Sequence, residues 1–276
     1  MGSFGKLHDL ADMETRKLLT LCLLLLAGIQ FSYAGGNDLI ENPVAGVKLA
    51  IEQDGGSNGS AVVYNPQKDY YHVVIAGNSQ YPMETFGVNG ACIGGNLTLV
   101  DIRGLWWNSK TKSLEGNCYN DDGIIRYKLS GSSTRAVDFV TVHGGGSHQP
   151  TVQAAGTIDA KGKELFFLND NANVTIYDFK SGEEKEVVFL SIPVARSNIS
   201  PYTVMSTGKK KMEFAVLDFN SKRVYLFDRK SGRVTGTVYL PSTAVVNDYF
   251  RVSYANDHVW LFDTEERSWT GYKIFE

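Results

Sequence analysis

Three carboxylates, Glu84, Asp101 and Glu115, could carry acid–base chemistry in this chain. Glycosidases use two such groups, one as a general acid and the other as a nucleophile or base. No motif pairs these three residues. The sequence also contains neither a G-x-S-x-G nucleophile elbow nor a phosphate-binding glycine loop. A hydrolase of glycosidic or lactone bonds is therefore the alternative function, and a non-catalytic binding protein is the preferred one.

Two arginines are candidates for binding an anion. Asn65, Asn108 and Asn256 can be aligned as the ends of equivalent strands. Arg103 and Arg251 each stand five residues before one of these asparagines, so we expect them at the same depth in the protein. A guanidinium group matches a planar carboxylate or sulfate. The pair therefore predicts a site for a small anion. The alternative is that each arginine pairs with an aspartate close to it in sequence.

Trp106 and Trp107 follow Arg103 in the same segment, GLWWN. Side chains alternate along a strand, so the two indoles must point to opposite faces. An exposed aromatic ring beside polar groups suits a sugar, whereas a buried ring contributes to the core. We expect one tryptophan to be buried and the other to be available to a ligand, and core packing of both is the alternative.

Two segments contain possible metal ligands. Residues 115–123 are rich in acids and amides and include Asp121 and Asp122, but they lack the spacing of a calcium-binding loop. An ordinary hairpin turn is the favoured interpretation. His143 and His148 flank a glycine-rich linker without a third ligand. We therefore expect no cofactor, with calcium as the alternative.

The elements that must position these residues repeat along the chain. Ser-Gly turns end at Gly131, Gly182 and Gly232, about fifty residues apart, and each follows a similar apolar segment. Each repeat contains four segments rich in Val, Ile, Phe and Tyr, separated by turn residues, which is typical of strands and hairpins. In the first unit the fourth strand is expected at residues 97–102, after a glycine-rich loop.

The last unit contains only three strands before the chain ends, and a spare strand at residues 46–53 precedes the first unit. Joining the spare strand to the last unit closes a ring and hides two exposed edges. The sequence therefore predicts an all-β, five-bladed β-propeller of four-stranded antiparallel blades. Six blades fit the spacing less well, and a sandwich or jelly roll does not predict a fixed period.

Units three and four resemble the NHL and related YVTN-type propeller repeats. The resemblance lies in Tyr177-Asp178 and in Leu226-Phe227-Asp228, each of which stands ahead of its Ser-Gly turn. It implies a propeller architecture. Such repeats occur in ligand-binding proteins, scaffolds and hydrolases alike, so the resemblance implies no catalytic residues.

The first 34 residues have the pattern of a secretory signal peptide, with Arg16-Lys17, a ten-residue apolar run and small residues at 32 and 34. We expect residues 35–44 to be a short linker and residues 45–276 to form a single propeller domain. The protein is then secreted, either extracellular or periplasmic. No later segment is apolar enough to span a membrane.

Composition and the remaining cysteines limit the partners. The net charge of −3 and a hydrophobic content of 43% fit an ordinary globular protein and argue against a nucleic-acid partner. Cys92 and Cys118 are either one disulfide or two free thiols. We expect a monomer that binds a glycan, a peptide or a small anion.

Overall fold

A computed structural model of the chain describes residues 39–131, 135–145 and 149–276. The expected signal peptide and His148 lie outside the described residues. The described part forms five four-stranded antiparallel sheets, and their innermost strands contact one another in cyclic order. The predicted five-bladed β-propeller is confirmed.

Blades 1 to 4 are four-stranded meanders, and in every blade the innermost strand lines the central channel. Blade 1 contains β2 (Gly59–Asn65), β3 (Tyr70–Ile75), β4 (Pro82–Gly87) and β5 (Cys92–Leu97). Blade 2 contains β6 (Ile102–Asn108), β7 (Ser113–Cys118), β8 (Ile124–Leu129) and β9 (Ala136–His143). Blade 3 contains β10 (Thr157–Ile158), β11 (Glu164–Leu168), β12 (Val174–Asp178) and β13 (Glu184–Val188).

The last two blades follow the same plan. Blade 4 contains β14 (Met205–Ser206), β15 (Phe214–Asp218), β16 (Arg223–Phe227) and β17 (Val234–Tyr239). Blade 5 contains β18 (Val252–Ala255), β19 (His258–Asp263), β20 (Ser268–Lys273) and β1 (Ala45–Ala50). The described helices are two short 3-10 turns, Tyr119–Asp121 and Arg196–Asn198, and no helix in this part of the chain is long and apolar enough to cross a bilayer.

The ring is closed by the N-terminal strand, as the missing fourth strand of the last unit predicts. β1 pairs antiparallel with β20, and Leu49 lies opposite Trp269 in this ladder. Both side chains are fully buried in the cluster between blades 5 and 1. Residues 39–41, in the segment expected to be a linker, also hydrogen-bond to the last two blades through Ile274 and Tyr239. The closure therefore combines a strand ladder with burial of a large apolar side chain.

Five apolar clusters fill the five gaps between neighbouring blades. Strand β15 shows how one strand serves two gaps. Phe214 and Val216 pack toward blade 3, whereas Ala215 and Leu217 pack toward blade 5. Because both faces of each blade are covered, strands in the middle of a blade, such as β11 (ELFFL) and β15 (FAVLD), are continuous apolar runs rather than alternating ones.

The repeated Ser-Gly turns have a shared physical basis. The carboxylate of Asp178 accepts the backbone N–H groups of Lys180 and Ser181, each at 2.9 Å. Gly182 then adopts a φ of +76°, which a glycine reaches without strain. Asp228 and Gly232 repeat this arrangement in blade 4. The Asp-x-x-Ser-Gly pattern is thus a turn that ends the third strand and starts the fourth.

The fourth strand of the first unit differs from the sequence expectation. It is β5, Cys92–Leu97, and the segment expected to form it instead carries the chain toward blade 2. The hydrophobic pattern did not reveal β5, because an outermost strand has only one neighbouring strand and needs few apolar residues. Gly95 faces β4 closely, since a Cβ atom there would lie 2.8 Å from the carbonyl oxygen of Met83.

The two openings of the channel are different. We call the opening where the inner strands end, next to Asn65 and Asn108, the wide mouth, and the opening where they begin, next to Phe250, the plugged mouth. At the plugged mouth Tyr202, Tyr249 and Phe250 pack together, with ring centroids 5.0 Å apart in each contact. A ligand therefore has better access from the wide mouth.

Replacing Leu49 with alanine tests the closure of the ring. We expect Leu49→Ala to lower the free energy of unfolding by about 2–5 kcal/mol, because it leaves a cavity between blades 5 and 1. The matched control is Lys48→Ala, whose side chain is 53% exposed and should matter by less than about 0.5 kcal/mol. Denaturant unfolding measures both, and equal effects would mean that β1 is not docked on the ring.

A buried histidine makes the fold sensitive to acid. His72 lies on β3 with 1% of its surface exposed, and its Nδ1 is 3.0 Å from the hydroxyl of Thr85. Burial lowers the pKa of His72 to about 4, below the ordinary value of 6.5. The unfolded chain therefore takes up a proton at a higher pH than the folded chain does.

Stability should consequently fall as the pH drops from about 6.5 toward 4. We expect the wild type to lose about 2–3 kcal/mol more than His72→Gln when the pH falls from about 7 to 4.5. Urea unfolding at both pH values measures this difference. His258→Gln, which alters a half-buried histidine, should retain the wild-type pH dependence; the same dependence in His72→Gln would exclude His72 as its source.

Candidate ligand-binding site

The wide mouth opens into a cavity of about 330 Å³ that all five blades line. This volume is at the lower end of the range for small-molecule sites. Its walls include the half-buried aromatic side chains of Tyr64, Trp107 and Tyr254, from blades 1, 2 and 5. Blades 3 and 4 contribute mostly small and polar residues, such as Thr157 from blade 3 and Ser206 from blade 4. The cavity thus combines aromatic surfaces with hydrogen-bonding groups.

Hydrogen bonds fix two of the aromatic rings. The hydroxyl of Tyr64 donates to Asp69, and this bond raises the pKa of Tyr64 to about 12. The hydroxyl of Tyr254 donates to Asp257 at 3.0 Å, and burial is the main reason that the pKa of Tyr254 is also raised. Both phenols are therefore neutral at physiological pH, with their rings held in place.

The two adjacent tryptophans point to opposite sides of β6. Trp106 is 3% exposed, packs edge-on against Phe179 of blade 3 and donates from its indole N–H to Glu115 at 3.3 Å. Trp107 packs partly against the cluster between blades 1 and 2 and lines the cavity. The structure thus places Trp107 where a ligand can reach it and uses Trp106 mainly in the core.

The channel narrows behind the cavity. A second space of about 30 Å³ lies halfway along it, between residues such as Ser60, Gly104 and Thr203. That volume suits a water molecule rather than an organic ligand. The cavity is therefore blind and opens at the wide mouth.

The two arginines lie at the plugged mouth, away from the cavity. Arg103 is 5% exposed, pairs with Asp101 and donates to the side chain of Gln153 at 2.8 Å. Its guanidinium lies 5.6 Å from the ring of Phe250, the neighbour of Arg251. The two arginines therefore share one mouth, as the alignment predicts. Arg103 also pairs with an aspartate close to it in sequence, Asp101, which was the alternative to an anion site.

Arg251 has different partners. Its guanidinium donates to Asn58 at 2.7 Å and to Asn247 at 3.3 Å, while its Nε is buried without a hydrogen-bond partner among the described residues. An anion bridging Arg103 and Arg251 would have to displace bonds that both guanidinium groups already make. The small-anion site at this mouth remains a prediction.

Two of the three candidate catalytic carboxylates are buried inside blades. Glu84, on β4, is 0% exposed and accepts the backbone N–H of Glu52 at 3.1 Å and that of Gln53 at 2.6 Å. Burial raises the pKa of Glu84. Its bonds fix the segment that leads from the closing strand to blade 1. Asp101, at the plugged mouth, pairs with Arg103 and accepts the N–H of Gly77.

Glu115, on β7, is also 0% exposed and lies at the centre of a polar network. One carboxylate oxygen accepts from Arg126 at 2.7 Å, and the other accepts from Asn108 at 2.8 Å. Hydroxyl groups of Thr111 and Ser113 complete the network. This carboxylate links strands and turns of blade 2, and it does not line the cavity.

Asp121 and Asp122, two of the possible metal ligands, lie apart from the wide mouth. Asp121 and Asp122 belong to the turn after β7, where Asp121 and Gly123 adopt positive φ values of 55° and 107°. No group of three or more His, Cys, Asp or Glu side chains is arranged to hold a metal ion in the described ranges. Cys92 is half-buried and Cys118 is buried, and both are free thiols. Burial raises the pKa of Cys118 to about 12.

Sequence reasoning did not identify Tyr64 and Tyr254 as cavity residues. The aligned asparagines contained the missing signal, because Tyr64 directly precedes Asn65 just as Trp107 directly precedes Asn108. An aromatic residue just before the end of an inner strand lies at the wide mouth. Tyr254 stands two residues before Asn256 rather than one, so the alignment did not show that it is equivalent to Tyr64 and Trp107.

Replacing Glu115 with glutamine tests its structural role. Glutamine keeps one acceptor but presents an NH₂ group to donors on the other side, so we expect a loss of about 2–4 kcal/mol in the free energy of unfolding. Glu186→Gln, at a carboxylate that is 48% exposed, is the matched control and should change stability little. Thermal and urea unfolding measure both variants. Full stability of Glu115→Gln would show that the network does not support blade 2.

Comparisons with known proteins add little to these observations. No protein-family model matches the chain, and no curated protein matches it in sequence. A solved structure described as "Crystal structure of Nidogen/Laminin Complex" is similar, with 14% identity and a TM-score of 0.43. The match covers 69% of this chain and 66% of that chain, slightly less than two thirds of it. The propeller assignment rests on the strand pairing of the chain itself.

Proposed function

We propose that this protein is a secreted, non-catalytic binding protein that takes a glycan at the wide mouth. The observation that carries the proposal is the blind cavity of about 330 Å³, which all five blades line and which contains Tyr64, Trp107 and Tyr254. Rings held in place lose little conformational freedom on binding, so they suit a preformed site.

A sugar fits this cavity better than the other expected ligands. The C–H face of a pyranose packs on an aromatic ring, and its hydroxyl groups pair with polar groups such as Ser206 and Asn256 in the cavity wall. A small anion finds no arginine among the lining residues. A peptide usually adds to a sheet edge or lies in a longer groove. These contrasts favour a glycan as the ligand.

A hydrolase remains the second candidate, and the lining of the cavity argues against it. Glycoside hydrolysis needs two carboxylates beside the scissile bond. Asp159 is the carboxylate among the described residues that line the cavity. One of its oxygens accepts the backbone N–H groups of Lys163 at 2.6 Å and Glu164 at 2.8 Å. Glu84 and Glu115 would have to leave their buried networks to act.

The setting of the proposal is extracellular or periplasmic, following the leader-like pattern of the first 34 residues. The NHL-like character of units three and four is part of the same proposal. The turns at Asp178 and Asp228 support it, because the motif residues form equivalent structures in both units.

Substitution of Trp107 tests the site. We expect Trp107→Ala to weaken saccharide binding about tenfold or more, whereas Trp107→Phe keeps a ring and retains much of the affinity. Isothermal titration against a panel of neutral and acidic oligosaccharides measures the dissociation constants. Circular dichroism confirms that each variant is folded.

Tyr239→Ala is the matched control, because it removes an aromatic ring that is 44% exposed on an outer strand. It should bind saccharides as the wild type does. A wild-type protein that binds no saccharide in the panel, or a Trp107→Ala variant that binds normally, would contradict the proposed site.

A further inference from the structure

The charged residues are distributed unequally between the two faces of the propeller. Nine described turns at the wide-mouth face contain thirteen Lys or Arg residues and six Asp or Glu residues, although three serine and threonine positions of one turn are not described. The two chain ends at this face add Glu41 and Glu276. The connections at the plugged face contain four basic and nine acidic residues. A chain of net charge −3 therefore has a basic face around its cavity.

The basic residues are concentrated on three neighbouring turns, 109–112, 159–163 and 207–213, which we call the lysine ridge. They contain seven lysines. The turns touch, because Ser109 donates its hydroxyl hydrogen to the carbonyl of Ala160 at 2.8 Å. A Cβ atom on Gly208 would lie 3.3 Å from the Cβ of Ala160. The ridge is therefore one continuous surface across blades 2, 3 and 4.

The central cavity continues along this ridge. A groove of about 570 Å³ between blades 3 and 4 shares Asp159, Ala160, Ser206 and Gly208 with the cavity. A third space of about 380 Å³, between blades 2 and 3, shares Lys163 with that groove. Together the three spaces form a trough longer than the central cavity alone.

The acids in the trough are already neutralised or engaged in turns. Glu164 pairs with Lys185 and Arg229, and these partners lower the pKa of Glu164 against the opposing effect of burial. Asp178 accepts backbone N–H groups of its own turn. Glu213 accepts the N–H groups of Lys211 and Arg229. Backbone N–H groups leave Asp178 and Glu213 charged, but the seven Lys and Arg residues that line the trough outnumber its four Asp and Glu residues.

Four lysines on the trough are available to a ligand, whereas Lys185 pairs with Glu164 and Lys209 of the ridge pairs with Asp257. Lys110, Lys161, Lys163 and Lys180 are exposed, and none of them makes an ion pair with another described residue. Clustered cations that lack partners raise the local concentration of a polyanion and strengthen its binding. A neutral glycan would leave these charges unused.

We propose that the ligand of the wide mouth is an acidic polysaccharide, with one sugar in the central cavity and its neighbouring carboxylates or sulfates along the lysine ridge. The inference rests on the proposed function and specifies the class of glycan. The aromatic cavity selects a sugar ring, and the lysine ridge selects a repeated negative charge. Only a charged glycan chain uses both parts of the trough.

The test compares two triple variants with equal changes in net charge. One replaces Lys110, Lys161 and Lys163 with glutamine, and the other replaces Lys48, Lys128 and Lys273, whose side chains are 53%, 54% and 48% exposed outside the trough. The probes are polygalacturonate, dextran sulfate, neutral dextran and polyglutamate. Biolayer interferometry measures dissociation constants at about 50 and 200 mM salt.

We expect the wild type to bind polygalacturonate or dextran sulfate, with an affinity that falls as the salt concentration rises. The ridge variant should bind about tenfold or more weakly, and the control variant should stay within about twofold of the wild type. Neutral dextran and polyglutamate should bind more weakly than the acidic polysaccharides, because each lacks either the charges or the sugar rings.

Three outcomes would overturn the inference: equal binding by the two triple variants, equal binding of neutral dextran, or equal binding of polyglutamate. If the wild type binds neutral saccharides through Trp107 but shows no preference for acidic ones, the proposed function stands and the acidic ligand is wrong. If it binds no saccharide of either kind, both proposals are wrong. Melting temperatures of the variants ensure that a lost affinity is not lost folding.

Discussion

The antiparallel ladder between β1 and β20 is the constraint on which the rest of the structure depends. A ring of sheets has two exposed edges unless its first and last parts are joined. Here the N-terminal strand supplies the outer position of blade 5, and Leu49 fills the gap toward blade 1 beside Trp269. Closure fixes the five inner strands around one axis. The cavity exists only because these strands end together.

The same geometry gives the two mouths different properties. Inner strands begin at a mouth that aromatic rings fill, and they end at a mouth where Tyr64, Trp107 and Tyr254 surround open space. Turns from three neighbouring blades extend this space sideways and carry the lysines. Buried carboxylates such as Glu84 and Glu115 hold the frame by accepting several hydrogen bonds each. Because these carboxylates are buried, their hydrogen bonds go to protein groups, and they link the segments that carry those groups.

The architecture could be predicted from the sequence because each blade repeats the same strands and turns, about fifty residues apart. A Ser-Gly turn joins the third strand to the fourth in blades 2, 3 and 4, so the spacing of these turns reports the size of a blade. The strand β5 was missed because an outer strand with Gly94 and Gly95 has no hydrophobic signature. Trp107 was predictable because side chains alternate along a strand, which places Trp106 and Trp107 on opposite sides of β6. The lysine ridge was missed because its three turns are about fifty residues apart and meet only in the closed ring.

Hydrogen–deuterium exchange with and without an acidic oligosaccharide tests the central claim most directly, because it reports which face the ligand covers. Our account predicts slower exchange in the turns 109–112, 159–163 and 207–213 and at the ends of β2 and β6, with no change around Phe250 at the plugged mouth. Protection confined to the plugged mouth, or to the outer strands, would contradict it.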